Sequence, residues 1–104
     1  MDFCIIYTPF PNKESAIKSA KLLLEKKIIA CANILDNALS IYSWEGKLEE
    51  STEVIMIMKT KTNLFDQVKE SITSTHPYSC PCIISYKIDN GNKNYLQWIE
   101  NSVR

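Results

Sequence analysis

A chain of 104 residues, 45% hydrophobic and 23% charged with only two glycines and four prolines, has the composition of one globular domain spanning 1–104, with little room for disorder. At this length folding buries about two-thirds of the surface that the unfolded chain exposes, so the core needs no disulfide or metal staple. Twelve basic and twelve acidic residues cancel to a formal charge of zero, which excludes the electrostatic footprint expected of a nucleic-acid or anionic-membrane binder.

Phe3 to Tyr7 reads as a first strand, a short aromatic and β-branched run that ends at Thr8-Pro9-Phe10-Pro11. Asn12 suits a helix N-cap, with Glu14 in the first turn, where the helix dipole favours negative charge. Ala16, Ala20, Leu23 and Leu24 then share one face of an amphipathic helix closed by Lys26 and Lys27. From Ile28 to Trp44 the chain is extended, interrupted near Asp36-Asn37 by the turn chemistry of a bend or bulge. Trp44-Glu45-Gly46-Lys47 reads as a hairpin turn, and Ser51 to Lys59 as the next strand. Thr62 or Asn63 is expected to cap a second helix whose stripe is Leu64, Phe65, Val68 and Ile72. A strand from Ile83 to Ile88, a turn at Asp89-Asn90-Gly91 and a short helix with Tyr95, Trp98 and Ile99 on one side complete the chain.

The order β-α-β-β-α-β plus a C-terminal helix predicts an α+β, ferredoxin-like sandwich with both long helices on one face of an antiparallel sheet. The strands Phe3 to Tyr7 and Val54 to Met58 are nevertheless apolar on both alternating faces, whereas a sheet with one wet face alternates. Burying about five further apolar side chains is worth on the order of 10 kcal/mol, so the second face calls for a cover, most simply another copy of the chain. The N-terminus enters this first strand without a basic leader, and no apolar run reaches the roughly 18 residues of a membrane span. The expectation is a soluble, cytoplasmic protein whose cysteines stay reduced, with neither nucleic acid nor membrane as a partner.

Chemistry is densest in His76-Pro77-Tyr78-Ser79-Cys80-Pro81-Cys82, which holds the only histidine and two of the four cysteines. Each proline fixes its own φ and pushes the residue before it toward extended backbone, so His76 and Cys80 are expected on rigid extended chain just before a strand. Thiolate and imidazole are ligands for copper and zinc, and Cys80-x-Cys82 on a strand would aim both sulfurs to one side. Cys31 and Cys4 read more simply as buried small apolar residues, and His76 as a residue capping the end of the second helix. A Cys31 and His76 nucleophilic pair has no support in their spacing. Glycine-rich phosphate loops and paired catalytic carboxylates are absent, which argues against catalysis. Around the hairpin, Trp44, Glu45, Glu49, Glu50 and Glu53 could rim a polar pocket together with Lys59 and Tyr78, Trp44 being suited to anchor an interface.

Several ordered motifs extend across nearly the whole chain: Tyr7-Thr8, Ala30-Cys31-Ala32-Asn33-Ile34, Ser43-Trp44-Glu45-Gly46-Lys47-Leu48-Glu49, Lys59-Thr60, His76-Pro77-Tyr78 with Pro81, and Gly91-Asn92 before Tyr95-Leu96-Gln97-Trp98-Ile99. On these the sequence resembles the CutA divalent-cation-tolerance proteins. The resemblance implies a tight homotrimer built like the PII signalling proteins with its sheets facing inward, a link to divalent metal ions, copper in particular, and no established reaction. It further implies that Cys31, Trp44, Glu53, Lys59, His76, Tyr78 and Pro81 line clefts between subunits. The reading that follows is a non-enzymatic protein of metal homeostasis with His76, Cys80, Cys82 and Cys31 as metal ligands; the alternative is a PII-like trimer that binds a small molecule or protein partner in those clefts. One segment departs from the family pattern, since Ser79-Cys80-Pro81-Cys82 stands where Glu-Val-Pro-Glu is usual, exchanging two carboxylates for two thiols.

Overall fold

The computed structural model describes residues 2–104. Strand β1 (Phe3–Phe10) is followed by helix α1 (Lys13–Glu25), strands β2 (Cys31–Trp44) and β3 (Lys47–Lys61), helix α2 (Phe65–Thr75), strand β4 (Ile84–Lys87) and helix α3 (Lys93–Ser102). The four strands form one antiparallel sheet in the order β2-β3-β1-β4, so the two halves of the chain interlock through the central pair β1 and β3. This is the α+β arrangement that the order of elements implies.

The core lies between the helices and one face of the sheet. Ile6 and Phe10 from β1, Met56 and Met58 from β3, Leu23 from α1, Val68 and Ile72 from α2 and Ile99 from α3 are all buried. In β1 and β3 the alternate residues Ile5, Tyr7, Ile55 and Ile57 are only partly covered, and Leu35, Ile84 and Tyr86 on the same open face are exposed. A single chain therefore covers one face of its sheet and leaves the other apolar, as the two-sided strands require.

Several boundaries follow local chemistry. Asn12 accepts a hydrogen bond from the Ser15 amide at 2.8 Å and caps α1. The C-terminus of α1 is closed by Lys27 in the left-handed region (φ 57°), with the Ile28 amide reaching back to the Leu23 carbonyl and the Lys27 amide to that of Leu24. The β2–β3 hairpin turns through Glu45 and Gly46, both at positive φ, as a two-residue turn between right-twisted strands demands.

At Asp36 and Asn37 the ladder slips: Leu35 pairs with Ile55 and Ala38 with Glu53, leaving one extra residue on β2 and Asn37 at φ 59°. The slip has a geometric result. Before the bulge Cys31, Asn33 and Leu35 share the open face; after it Ala38, Ser40, Tyr42 and Trp44 do, on the same side as Glu53.

Several expectations require correction: β1 does not end at Tyr7 but pairs with β3 on through Thr8 and Pro9 to Phe10, and β2 begins at Cys31 rather than Ile28. The strand β3 begins at Lys47, directly after the hairpin turn, because pairing with β2 continues to that point. No side chain of Thr62 or Asn63 caps α2, which is instead entered through a single 3-10 turn, Thr62–Leu64. Leu24 is 41% exposed, because the buried stripe of α1 runs through Ala16, Ser19, Ala20 and Leu23. Finally, β4 begins only at Ile84, so Cys80 and Cys82 sit in the loop ahead of the strand rather than on it.

Candidate functional site

The loop from His76 to Ile83 is fastened at its start. Pro9 in β1 has no amide proton to give, but its carbonyl is free to accept, and His76 Nε2 lies 2.8 Å from it. The other ring nitrogen, Nδ1, accepts from the Tyr78 amide at 3.0 Å, which places the imidazole proton on Nε2. The ring stacks on Phe10 with centroids 4.5 Å apart and is 8% exposed. The backbone amide of His76 caps the last turn of α2 by donating to the Ile72 carbonyl at 2.8 Å, whereas its side chain serves the strand, not the helix end. Both imidazole nitrogens are thus engaged within the chain, and His76 acts as a pin between loop and sheet.

That pin aims Tyr78 across the end of the sheet. Its hydroxyl donates to Glu53 Oε2 at 2.8 Å, and burial together with the Glu53 carboxyl pushes the Tyr78 phenol up to about 12. Burial, then Glu53, also raises the Cys82 thiol above its ordinary value. The Tyr7 hydroxyl is raised by burial, with Cys82, Glu53 and Tyr86 adding to the effect. Around these groups opens a cavity of about 550 Å³ lined by Pro9, Tyr42, Trp44, Glu53, Pro77, Tyr78, Ser79, Cys80 and Cys82.

Cys31 and Lys59 lie elsewhere. They are cross-strand partners in β2 and β3, and Lys59 is six residues from Glu53 along β3, about 20 Å at the rise of a strand. Tyr95 of α3 joins them: Lys59 Nζ donates to its hydroxyl at 3.3 Å, and the Cys31 sulfur lies 3.7 Å from the same oxygen. Burial works against the Lys59 ammonium, but the Tyr95 hydrogen bond and the adjoining Cys31 and Tyr95 outweigh it and hold the amine above its ordinary value. Within a single chain the residues expected as metal ligands or as lining of intersubunit clefts therefore form two clusters, Trp44, Glu53, Tyr78, Cys80 and Cys82 in one, Cys31 and Lys59 in the other. Pro81 sits half-buried between the two loop cysteines and does not line the cavity.

All four cysteines are free thiols, Cys4 buried and Cys80 and Cys82 exposed. Among the described residues no three histidine, cysteine, aspartate or glutamate side chains converge tightly enough to enclose an ion. A further concavity of about 340 Å³, bounded by Asn12, Ser15, Lys18, Leu22 and Thr75, contains none of the candidate residues. Tyr42 is the wall residue that sequence reasoning passed over. Its i, i+2 spacing from Trp44 on one strand was the available signal. No helix of the described residues is long and apolar enough to cross a membrane.

Comparison with known proteins agrees with this architecture. The family described as CutA1 divalent ion tolerance protein matches residues 4–102. The divalent-cation tolerance protein CutA of Pyrococcus horikoshii is 46% identical over 95 residues, covering 91% of this chain and 92% of that protein. A chloroplastic CutA protein of Arabidopsis thaliana is 35% identical over 96% of this chain and 55% of its own length. The solved structure of the periplasmic divalent cation tolerance protein CutA from Archaeoglobus fulgidus superimposes with a TM-score of 0.95 at 41% identity, over 98% of this chain and 99% of that one.

Proposed function

The chain belongs to the CutA1 divalent ion tolerance family, and from that premise we propose a non-enzymatic homotrimer that binds copper or a similar soft ion and acts in metal homeostasis. The observation that supports the metal reading is that the two thiols of Cys80 and Cys82 line one cavity together with Glu53, an open arrangement that does not by itself enclose an ion. The donor chemistry fits copper in its reduced state, which two thiolates satisfy in low coordination, whereas a hard divalent ion wants several oxygens. Cys80 and Cys82 would hold the ion with Glu53 nearby. His76 contributes by fixing the loop that carries them, and Cys31, in the other cluster of the same chain, would reach this ion only from another subunit.

The uncovered sheet face supports the trimer. Ile5, Tyr7, Ile55 and Ile57 extend into the exposed Leu35, Ile84 and Tyr86, a contiguous apolar face of the kind that marks an interaction surface. The free thiols suit a reducing compartment, which we take to be the cytoplasm; the Archaeoglobus relative is named as periplasmic and the Arabidopsis relative as chloroplastic, so location varies among relatives.

Native mass spectrometry under reducing conditions, with and without added copper, tests the proposal. The expected result is a trimer that takes up copper in multiples of three, with uptake abolished by Cys80→Ser combined with Cys82→Ser. A metal-free trimer would remove the metal reading for this chain; a monomer would undo the reading of the open face.

A further inference from the structure

The open sheet face is where neighbouring subunits pack in the proposed trimer, so a site that stays accessible in the assembly lies on the other side, in the helix layer. The concavity of about 340 Å³ there is walled by Glu14, Ser15, Lys18, Ser19 and Leu22 of α1 and by Thr75 at the end of α2. Residues three and four apart on a helix stand about 5–6 Å from one another. Glu14, Ser15, Lys18 and Ser19 therefore form one compact patch across two adjacent turns, carrying a carboxylate, an ammonium and two hydroxyls.

Three of these groups lack the partners that local chemistry would give them. Glu14 and Lys18 have the i, i+4 order that favours an ion pair, yet none of the ion pairs among the described residues includes either. Ser19 is 6% exposed, and its hydroxyl makes no hydrogen bond among the described residues, whereas Thr73, Ser74 and Ser102 each turn theirs onto a carbonyl of their own helix. Among the described residues the side-chain oxygens sealed from water without a partner are Thr8 Oγ1 and Glu100 Oε2. The Ser19 hydroxyl is not one of them, so it meets solvent in the concavity that the residue lines. A largely buried hydroxyl left to water is a ready partner for a ligand oxygen. Opposite stands the end of α2, whose last carbonyls have no partner inside the helix and carry its negative pole.

We propose that this concavity binds a small zwitterion of the α-amino-acid class. Its carboxylate lies on the Lys18 ammonium and the Ser19 hydroxyl, its ammonium between the Glu14 carboxylate and the end of α2 at Thr75, and its side chain against Leu22. A simple anion placed here would face Glu14, and a simple cation would face Lys18. A molecule that carries both charges close together pairs with both, and the volume is at the small end of ligand sites. The inference is separate from the metal reading, because no cysteine lines this concavity.

The test is a titration of the full-length, reduced, isotope-labelled protein with L-alanine, followed by amide chemical shifts in dilute phosphate near neutral pH. Propionate and isopropylammonium are the comparison probes, each keeping one of the two charges. The expected result is saturable shifts centred on residues 14–22 and Thr75, with binding at least about tenfold weaker for either comparison probe. Lys18→Met and Glu14→Gln should each weaken L-alanine binding by at least about tenfold, and both replace exposed side chains, so the fold is retained. Cys80→Ser with Cys82→Ser should leave the affinity unchanged. Absence of saturable shifts, equal binding of L-alanine and propionate, or unchanged affinity in both Lys18→Met and Glu14→Gln overturns the proposal. Shifts confined to the cavity beside Tyr78 would overturn it too.

Discussion

Replacing His76 separates a pin from a ligand. In His76→Phe the ring still stacks on Phe10, but the bonds from Nε2 to the Pro9 carbonyl and from the Tyr78 amide to Nδ1 are both lost. At about 1 kcal/mol for each hydrogen bond, His76→Phe should destabilise the fold by about 2 kcal/mol. His76→Ala also forfeits the stack, worth about 0.5–1.5 kcal/mol, and leaves a void, for a total of about 3–4 kcal/mol. Against a typical domain stability of about 5–15 kcal/mol these are large losses, measurable by guanidinium unfolding at a fixed subunit concentration, the concentration mattering because oligomers unfold with it. Copper affinity measured on the folded fraction should fall far less in His76→Phe than in the double cysteine variant. If His76→Phe unfolds like the unmodified chain and yet loses copper, the imidazole is a ligand and the assignment of a pinning role is wrong.

The Tyr78 phenol, held up to about 12 by burial and Glu53, sets an alkaline limit. Its folded value is raised, so its contribution is complete below the ordinary tyrosine range near 10, declines as pH climbs toward 12, and should vanish in Tyr78→Phe. Spectrophotometric titration should accordingly show two of the five tyrosines, Tyr7 and Tyr78, ionising late, with one late step lost in Tyr78→Phe; a titration that Tyr78→Phe leaves without such a loss would count against the Glu53 contact. Lys27→Gly should raise the unfolding free energy by about 1 kcal/mol, because glycine takes the left-handed position at the end of α1 without the Cβ penalty; thermal unfolding shifted downward would contradict that account. Ile57→Glu, on the open face of β3, should dissociate the proposed trimer as judged by size-exclusion chromatography, since a carboxylate with no partner would be buried in each subunit's contact. A trimer that tolerates it would place the interface elsewhere.

The sequence by itself determined everything governed by neighbours in the chain. Short apolar runs rich in aromatic and β-branched residues marked β1 and β3, Asn12 announced its cap, and Gly46 marked the hairpin turn, where the structure adds a positive φ at Glu45. Even the bulge at Asp36-Asn37 was legible as turn chemistry, and the ordered motifs pointed to the family. Where the cap of α2 and the start of β4 were misplaced, the deciding forces were tertiary: the pairing of strands and the fastening of the 76–83 loop prevailed over local propensity.

The site depended almost wholly on such distant contacts. His76 reaches a carbonyl 67 residues away and Tyr78 a carboxyl 25 residues away, separations at which sequence spacing carries no geometric information. The single extra residue in β2 reverses which alternate side chains face Glu53, so Tyr42 and Trp44 enter the cavity wall only because the ladder slips there. The same tertiary geometry separates Cys31 and Lys59 from Trp44, Glu53 and Tyr78, because β3 is a straight spacer whose rise of about 3.3 Å per residue cannot be folded back. Local chemistry thus decided what the elements are, and strand register decided which side chains meet.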